Sequence, residues 1–367
     1  MPEGYPDREP VPKAAKCRCC RKAPRTSSRL HDQRHDQGSC QARFWDLFVG
    51  IWELKSVYTV TLNPSLDKTL SIPRLVHGEL NRVQLVRLDT GGKGINVSRA
   101  LRALGVPGVA VGIVAGGTGQ ALAQGLSELR IPAELVWIPG ETRSNITLVE
   151  TEDNVYTKIN EPGPELTTAG IAELQNRIGR LLQPEDLWVF SGSLPPGAPP
   201  DLYARLVQQV QEGGAYAALD SSGVGLKYGC HAAPFILKPN VDEAARVLGR
   251  ALPRRDDQVD AVRTLLSMGV RIVGLTRGAD GALVGQGEVV VEAVPPPVTV
   301  RSPIGAGDAF LAGLVYAWMR GLALEEMARW AVAAGTAATM QEGTGVGTRT
   351  QVEALLPQIV VRKEKFL

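Results

Sequence analysis

The chain has 367 residues, 44% apolar and 21% charged, with a net charge of +2, an ordinary composition for a soluble protein with a large core. Residues 1–55 hold 11 Lys and Arg against 7 Asp and Glu, while the remainder is close to neutral and shows no electrostatic footprint for nucleic acid. No apolar run approaches the roughly 18–20 residues of a membrane helix, and the polar, basic start lacks a signal peptide's apolar stretch, so a cytoplasmic protein is expected.

Four of the five cysteines, Cys17, Cys19, Cys20 and Cys40, crowd the N-terminal tail, and only Cys230 lies in the body. With His31 and His35 they can supply four zinc ligands, but the C-x-C-C spacing is not that of common zinc modules and few apolar residues surround it. The plainer reading of residues 1–55 is a disordered extension or a translation start placed upstream of the functional one.

The folded domain is expected to open at VYTVTLN, from Val57, a β-branched and aromatic run that reads as a strand. After Gly91-Gly92-Lys93-Gly94, the segment INVSRALRALG places Ile95, Val97, Leu101 and Leu104 at helical spacing, with Gly105 as a stop. VAVGIVA, a helix through Leu122 to Leu129, IPAELVWI, DLWVFSGS, a helix after Pro200, AYAALDSS, FILKPN, a helix over Glu243 to Leu248 and VRIVGLTRG continue the alternation. Such alternation predicts an α/β fold with a mostly parallel sheet and helices on both faces. Residues 63–90 and 144–160 break the rhythm with strand-like segments and no helix, which suits a small antiparallel lid beside the main sheet.

The strongest chemical signal is SPIGAGDAFLAGLVYAWM, residues 302–319, in which a glycine-rich turn opens an apolar helix. Gly305, Ala306 and Gly307 leave backbone N–H groups unobstructed at a positive helix end, where a phosphoryl group gathering charge can sit. Asp308 beside them can accept the proton of an attacking hydroxyl. Taken alone, the same pattern is also that of a helix N-terminus with an acid in its first turn. A Walker A loop needs Gly-Lys-Ser/Thr, but Lys93 is followed by Gly94; the dinucleotide fingerprint needs a third glycine where Phe310 stands. In TLNPSLDKT and TGGKGINVSRAL, Asp67 can accept hydrogen bonds from sugar hydroxyls, Gly91 and Gly92 permit close backbone approach, Asn96 offers donor and acceptor, and Lys93 a point charge.

These motifs, with TRSN, NEPGP, SGSLPPG, LDSSG, LKPN and TRGADG in order between them, resemble the PfkB carbohydrate kinases of the ribokinase-like superfamily from about Val57 to about residue 357. The resemblance implies a three-layer sandwich with a small β lid and transfer of phosphate from ATP, with Mg2+, to a sugar phosphate. It implies Asp308 as catalytic base and Gly305 to Gly307 as the anion hole. Arg143 and Ser193 match residues that hold the substrate phosphate; Arg82, in the lid segment, matches only across a gap. Lys238 and Asn240 match nucleotide-site positions, and Asn240 with Glu243 forms the N-x-x-E pattern that tunes magnesium, indirectly through water. Thr276, Gly278, Ala279 and Gly281 match the loop over the ATP phosphates and ribose, and Ala334, Gly335 and Ala338 the small residues that make room for adenine.

Lys93 within GGKG, and NEPGP at residues 160–164, resemble the family's fructose 1-phosphate and tagatose 6-phosphate kinases more than its minor 6-phosphofructokinase, which has glycine at the lysine position. The expected reaction is therefore fructose 1-phosphate to fructose 1,6-bisphosphate, with the tagatose 6-phosphate and fructose 6-phosphate activities as alternatives. The resemblance also implies a homodimer through the lid. A different class, an idle sugar-phosphate sensor whose basic tail contacts DNA, is opposed by the retained Asp308, glycine loop and Lys238.

Overall fold

The structure, a computed structural model, describes residues 56–153 and 155–364. The tail over residues 1–55, and with it the zinc and DNA expectations, lies outside the described residues.

The run VYTVT forms β1 (Val57–Thr61), buried at every position. A strand covered on both faces reads as continuous rather than alternating, which is the mark of the middle of a parallel sheet. To one side of β1 lie β4 (Val109–Val114) and β5 (Ala133–Trp137); to the other lie β8 (Leu187–Ser191), β9 (Tyr216–Asp220), β10 (Ile236–Leu237) and β11 (Ile272–Thr276). All pairs from β5 across to β11 are parallel. Antiparallel β12 (Ala282–Gln286), β13 (Val289–Val294) and β14 (Val360–Glu364) complete a ten-stranded sheet in the order β14-β13-β12-β11-β10-β9-β8-β1-β4-β5.

Strand alternation divides the core in two. Leu187 and Val189 point to one face and Trp188 and Phe190 to the other. The first face is covered by α1 (Lys93–Ala103), α8 (Ala306–Met319), α9 (Leu324–Thr339) and α10 (Arg349–Leu355). The second is covered by α3 (Thr168–Leu181), α4 (Leu202–Glu212), α5 (Gly223–Cys230), α6 (Val241–Leu248) and α7 (Arg255–Ser267), with Tyr58 stacked on Trp188 at 4.2 Å. A smaller cluster at the β4–β5 edge takes Leu122 and Leu126 from α2 (Gly116–Glu128). The three-layer expectation therefore holds. Among the described residues no helix is long and apolar enough to cross a membrane.

The two stretches that break the alternation form a second sheet, β3-β2-β6-β7, from β2 (Ser65–Ile72), β3 (Leu85–Gly91), β6 (Arg143–Glu150) and β7 (Val155–Asn160). Its outer pairs are antiparallel, as expected for hairpins, and its central pair β2/β6 is parallel. Parallel pairing follows because β2 and β6 each leave the main sheet in the same direction and are joined only by a long crossover. That register sets Asp67 opposite Asn145.

Helix α8 is buried from Asp308 through Ala317, so it is apolar all round rather than amphipathic. It can lie this close to α9 because of Gly313, where a Cβ would stand 2.5 Å from the Trp330 carbonyl oxygen and 2.8 Å from the Ala334 Cβ. Alanine would gain about 1 kcal/mol of helix propensity there. The steric cost falls on backbone that cannot rotate away, and overpacking of this kind costs about 1–3 kcal/mol. Gly313→Ala is therefore expected to lower stability despite the better helix former, read as a fall in the urea midpoint and in Tm.

Candidate functional site

The carboxyl ends of β9, β10 and β11 and the inner side of the small sheet border one cavity of about 1040 Å3. Open α/β sheets place their ligands at this end, because loops and helix N-termini converge there. The volume exceeds that of one small ligand.

At its centre stands Asp308, the third residue of α8 and 6% exposed. Asn96 of α1 donates to its Oδ2 at 2.9 Å, joining two helices 212 residues apart. Burial pushes the Asp308 carboxyl up to about 6; the nearby Asp220 charge adds to this, while Asn96, Lys93 and Lys238 oppose it. Gly305, the N-cap of α8, has φ 79 with nothing near a would-be Cβ, so glycine is required there for backbone conformation rather than space. Ala306 and Gly307 begin the helix and line the cavity, in the first turn, whose N–H groups have no partner within the helix.

Asp220, at the carboxyl end of β9, is fully buried, and its Oδ1 accepts from Lys93 Nζ at 3.1 Å and Lys238 Nζ at 3.2 Å. Its Oδ2 has no protein partner among the described residues. Burial works to lower the Lys93 ammonium, but the Asp220, Glu243 and Asp308 carboxylates outweigh it and hold the group above the usual lysine range. Two ammonium groups and two carboxylates thus share the middle of the cavity.

On the small-sheet side, Asp67 Oδ1 accepts from Ser65 Oγ at 2.7 Å and Asn145 Nδ2 at 3.0 Å. Burial raises its carboxyl above the ordinary range against the pull of these donors and of Arg143. Gly91 does not line the cavity; a Cβ there would collide with the Asp67 carboxylate, so this glycine makes the space Asp67 occupies. Gly92, the N-cap of α1, does line it, at φ 122. Arg143 faces the cavity with Nε and Nη2 donating to the Asn63 carbonyl at 3.2 and 2.9 Å.

Opposite lie Thr276, Gly278, Ala279 and Gly281 after β11, Gly335 of α9, and a wall of Pro295, Pro296, Pro297 and Val298. Asn240 caps α6: its Oδ1 accepts from Glu243 N at 2.8 Å and its own N–H donates to Glu243 Oε2 at 2.9 Å. The N-x-x-E pattern is thus a capping box whose two side chains also border the cavity.

The model of the pfkB family of carbohydrate kinases matches residues 60–351. The chain belongs to that family. Relatives include the 1-phosphofructokinase of Rhodobacter capsulatus, 36% identical over 83% of this chain and 97% of its own, and that of Bacillus subtilis, 33% identical over 84% and 99%. Among solved structures, phosphofructokinase-2 from Escherichia coli in complex with potassium aligns at 30% identity with a TM-score of 0.79, covering 83% of this chain and 98% of that one. As a sugar kinase of this family the protein uses ATP.

Most residues singled out in the sequence of this kinase converge on the one cavity. Ser193 is half-buried and Arg82 exposed, and neither lines it. Ala334 and Ala338 also stand off it; Ala334 serves the close contact of α8 with α9. Sequence reasoning missed Asp220 and Asn145. The signal for Asp220 was an acid closing an otherwise apolar strand, AYAALD, since a carboxylate at a buried strand end needs paired cations. Asn145 lay in the quoted TRSN motif, but its pairing with Asp67 depends on strand register.

The raised Asp308 carboxyl has a stability consequence. The native state holds this proton more tightly than the unfolded chain, so stability contributed by the group falls as pH rises from 3.8 through about 6. Asp308→Asn, which keeps an acceptor for Asn96, is expected to be more stable than wild type at pH 8 by about 1–3 kcal/mol. The gain should vanish near pH 4, as urea titrations at the two pH values would show.

Proposed function

We propose that this kinase transfers the γ-phosphoryl group of ATP to the 6-hydroxyl of fructose 1-phosphate, giving fructose 1,6-bisphosphate. The relatives named 1-phosphofructokinase, similar over nearly their whole length, support the sugar. The observation that carries the chemistry is the position of Asp308, buried beside the glycine turn at the head of α8, bonded by Asn96 and lining the same cavity as Asp67.

In this reading Asp308 takes the proton of the attacking hydroxyl, and the 305–307 amides receive the charge that develops on the transferring group. A base held near pH 6 is ionised at neutral pH yet still binds a proton strongly enough to help. Asp67 and Asn145 orient sugar hydroxyls, with Gly91 making room for the Asp67 carboxylate and Gly92 allowing the approach. Arg143 and Lys93 supply charge for the sugar phosphate, while Ser193 and Arg82 remain candidates that would have to move inward. Lys238, Asn240, Thr276, Gly278, Ala279, Gly281 and Gly335 flank the nucleotide. Asp220 serves as the common anchor of Lys93 and Lys238, keeping two cations beside the transferring phosphoryl group.

The donor set suits Mg2+ carried on the nucleotide. Among the described residues no group of three or more His, Cys, Asp or Glu can hold a metal by itself. Asp220 Oδ2 lacks a protein partner and Glu243 borders the same space. Mg2+ keeps much of its water and completes its shell with phosphates, so Glu243 would act through water. When bound, the ion would neutralise phosphate charge.

We place the kinase domain at residues 56–367, with lid segments near 63–90 and 144–160; closure of the lid would exclude water from the transfer. ATP and a sugar phosphate are intracellular metabolites, which supports a cytoplasmic location. The lid leaves Leu85 60%, Leu88 56% and Ile159 56% exposed, an apolar surface that supports a homodimer formed there. Sedimentation should then give a dimer for wild type and a monomer for Leu88→Glu; a monomeric wild type would refute the interface.

ADP release should give the highest kcat/KM with fructose 1-phosphate, compared with fructose 6-phosphate and tagatose 6-phosphate. Preference for a 6-phosphate would move the assignment to a sibling activity. No turnover on any of them would favour the sensor. Asp308→Asn is expected to lower kcat by about 10^3-fold. Wild-type kcat/KM should fall about tenfold per pH unit below pH 6, because protonated Asp308 cannot accept the hydroxyl proton.

A further inference from the structure

Behind the nucleotide side of the cavity lies a second charged cluster that the proposed chemistry does not use. Glu292 of β13 is 4% exposed, an unusual place for a carboxylate in a sheet. Its Oε1 accepts from Arg277 Nη2 at 2.6 Å, and its Oε2 accepts from Arg255 Nε and Nη2, each at 3.1 Å. Burial works to raise this carboxyl, but the two guanidinium groups outweigh it and hold it below the ordinary glutamate range. Arg277 is as deeply set as Glu292, with its side chain 8% exposed.

Arg277 is the residue on which the turn after β11 closes. Its N–H donates to the Gly281 carbonyl at 2.8 Å, and its Nη2, besides reaching Glu292, donates to the Asp280 carbonyl at 2.7 Å. One guanidinium therefore ties the far side of the turn to a carboxylate on β13 of the same sheet. The near side, Gly278, Ala279 and Gly281, faces the cavity, whereas Arg277 does not line it. Gly278 at φ 62 and Gly281 at φ 82 both stand in left-handed backbone, where glycine carries no side chain that could pack to hold the turn. At Gly281 the backbone lies so close to β13 that a Cβ would collide with the Ala293 carbonyl oxygen. The turn is thus braced twice on β13, at Ala293 by contact and at Glu292 through Arg277.

We propose that Glu292 is a positioning residue for the nucleotide, acting through Arg277 to set the Gly278–Gly281 turn. The inference rests on the reading that ATP lies against this turn. A buried carboxylate has a desolvation cost that a structural role alone could avoid with an apolar residue. A guanidinium nitrogen that donates to both Glu292 and the Asp280 carbonyl fixes the turn in a way an apolar contact would not.

The test is steady-state kinetics on the full-length enzyme, with KM for ATP and for fructose 1-phosphate measured separately. Glu292→Gln is expected to raise KM for ATP about tenfold, with kcat and KM for fructose 1-phosphate within about twofold of wild type. Arg277→Lys, which keeps the charge but has a shorter side chain with no donor where Nη2 stands, should do the same and guards against a Glu292 variant that fails to fold. Arg255→Ala leaves the Arg277 bond in place and should change KM for ATP by less than about twofold even if Tm falls. A loss of Tm with no change in KM for ATP in either Glu292→Gln or Arg277→Lys would overturn the proposal and leave a purely structural ion pair. If KM for fructose 1-phosphate rose instead, the placement of the nucleotide would fall, and this inference with it; isothermal titration with ADP alone would separate that outcome from a general loss of activity.

Discussion

The site depends on one buried carboxylate, Asp220, held between two ammonium groups. A carboxylate without solvent costs several kcal/mol unless paired, and a lone ammonium as buried as Lys238 costs as much. Each makes the other tolerable, and together they put positive charge in the middle of the cavity. Asp308 completes the balance of two cations and two anions. Burial is the main reason the Asp308 carboxyl is raised, and the Asp220 charge adds to it. The residue that steadies the lysines therefore also helps to raise Asp308 toward neutrality, a coupling typical of perturbed groups in clefts.

The parallel sheet is what makes this arrangement possible. Asp220, Lys238 and Thr276 come from successive strands, and each leaves its strand at the same end because β9, β10 and β11 run in the same direction. The glycines around them do different work. Gly305 permits a left-handed backbone at the head of α8, whereas Gly91 leaves room for the Asp67 carboxylate. Asn240 and Glu243 show a further economy: a capping box that stabilises α6 also presents two polar side chains to the cavity.

The small sheet contributes by register. Parallel pairing of β2 with β6 brings Asp67 and Asn145 side by side although 78 residues separate them, and Asn145 then holds the Asp67 oxygen in place. The small sheet is therefore one side of the cavity, and the apolar side chains it leaves exposed are a separate property of its outer strands.

Local pattern by itself determined much of this protein. Alternating strand and helix segments predicted the layered sheet, the breaks in that rhythm located the second, smaller sheet, and the glycine turn before an apolar helix singled out Asp308. These features are legible because backbone conformation and amphipathic period are written in neighbouring residues. Only the tertiary structure decided that Asp220 binds both lysines, that Asn145 serves Asp67, that Ser193 and Arg82 stand off the cavity, and that Ala334 serves packing. Each of those facts depends on which side chains meet across strand ends, sheet register or helix faces. Such meetings are set by the packing of distant segments, on which the neighbours of a residue in sequence carry no information.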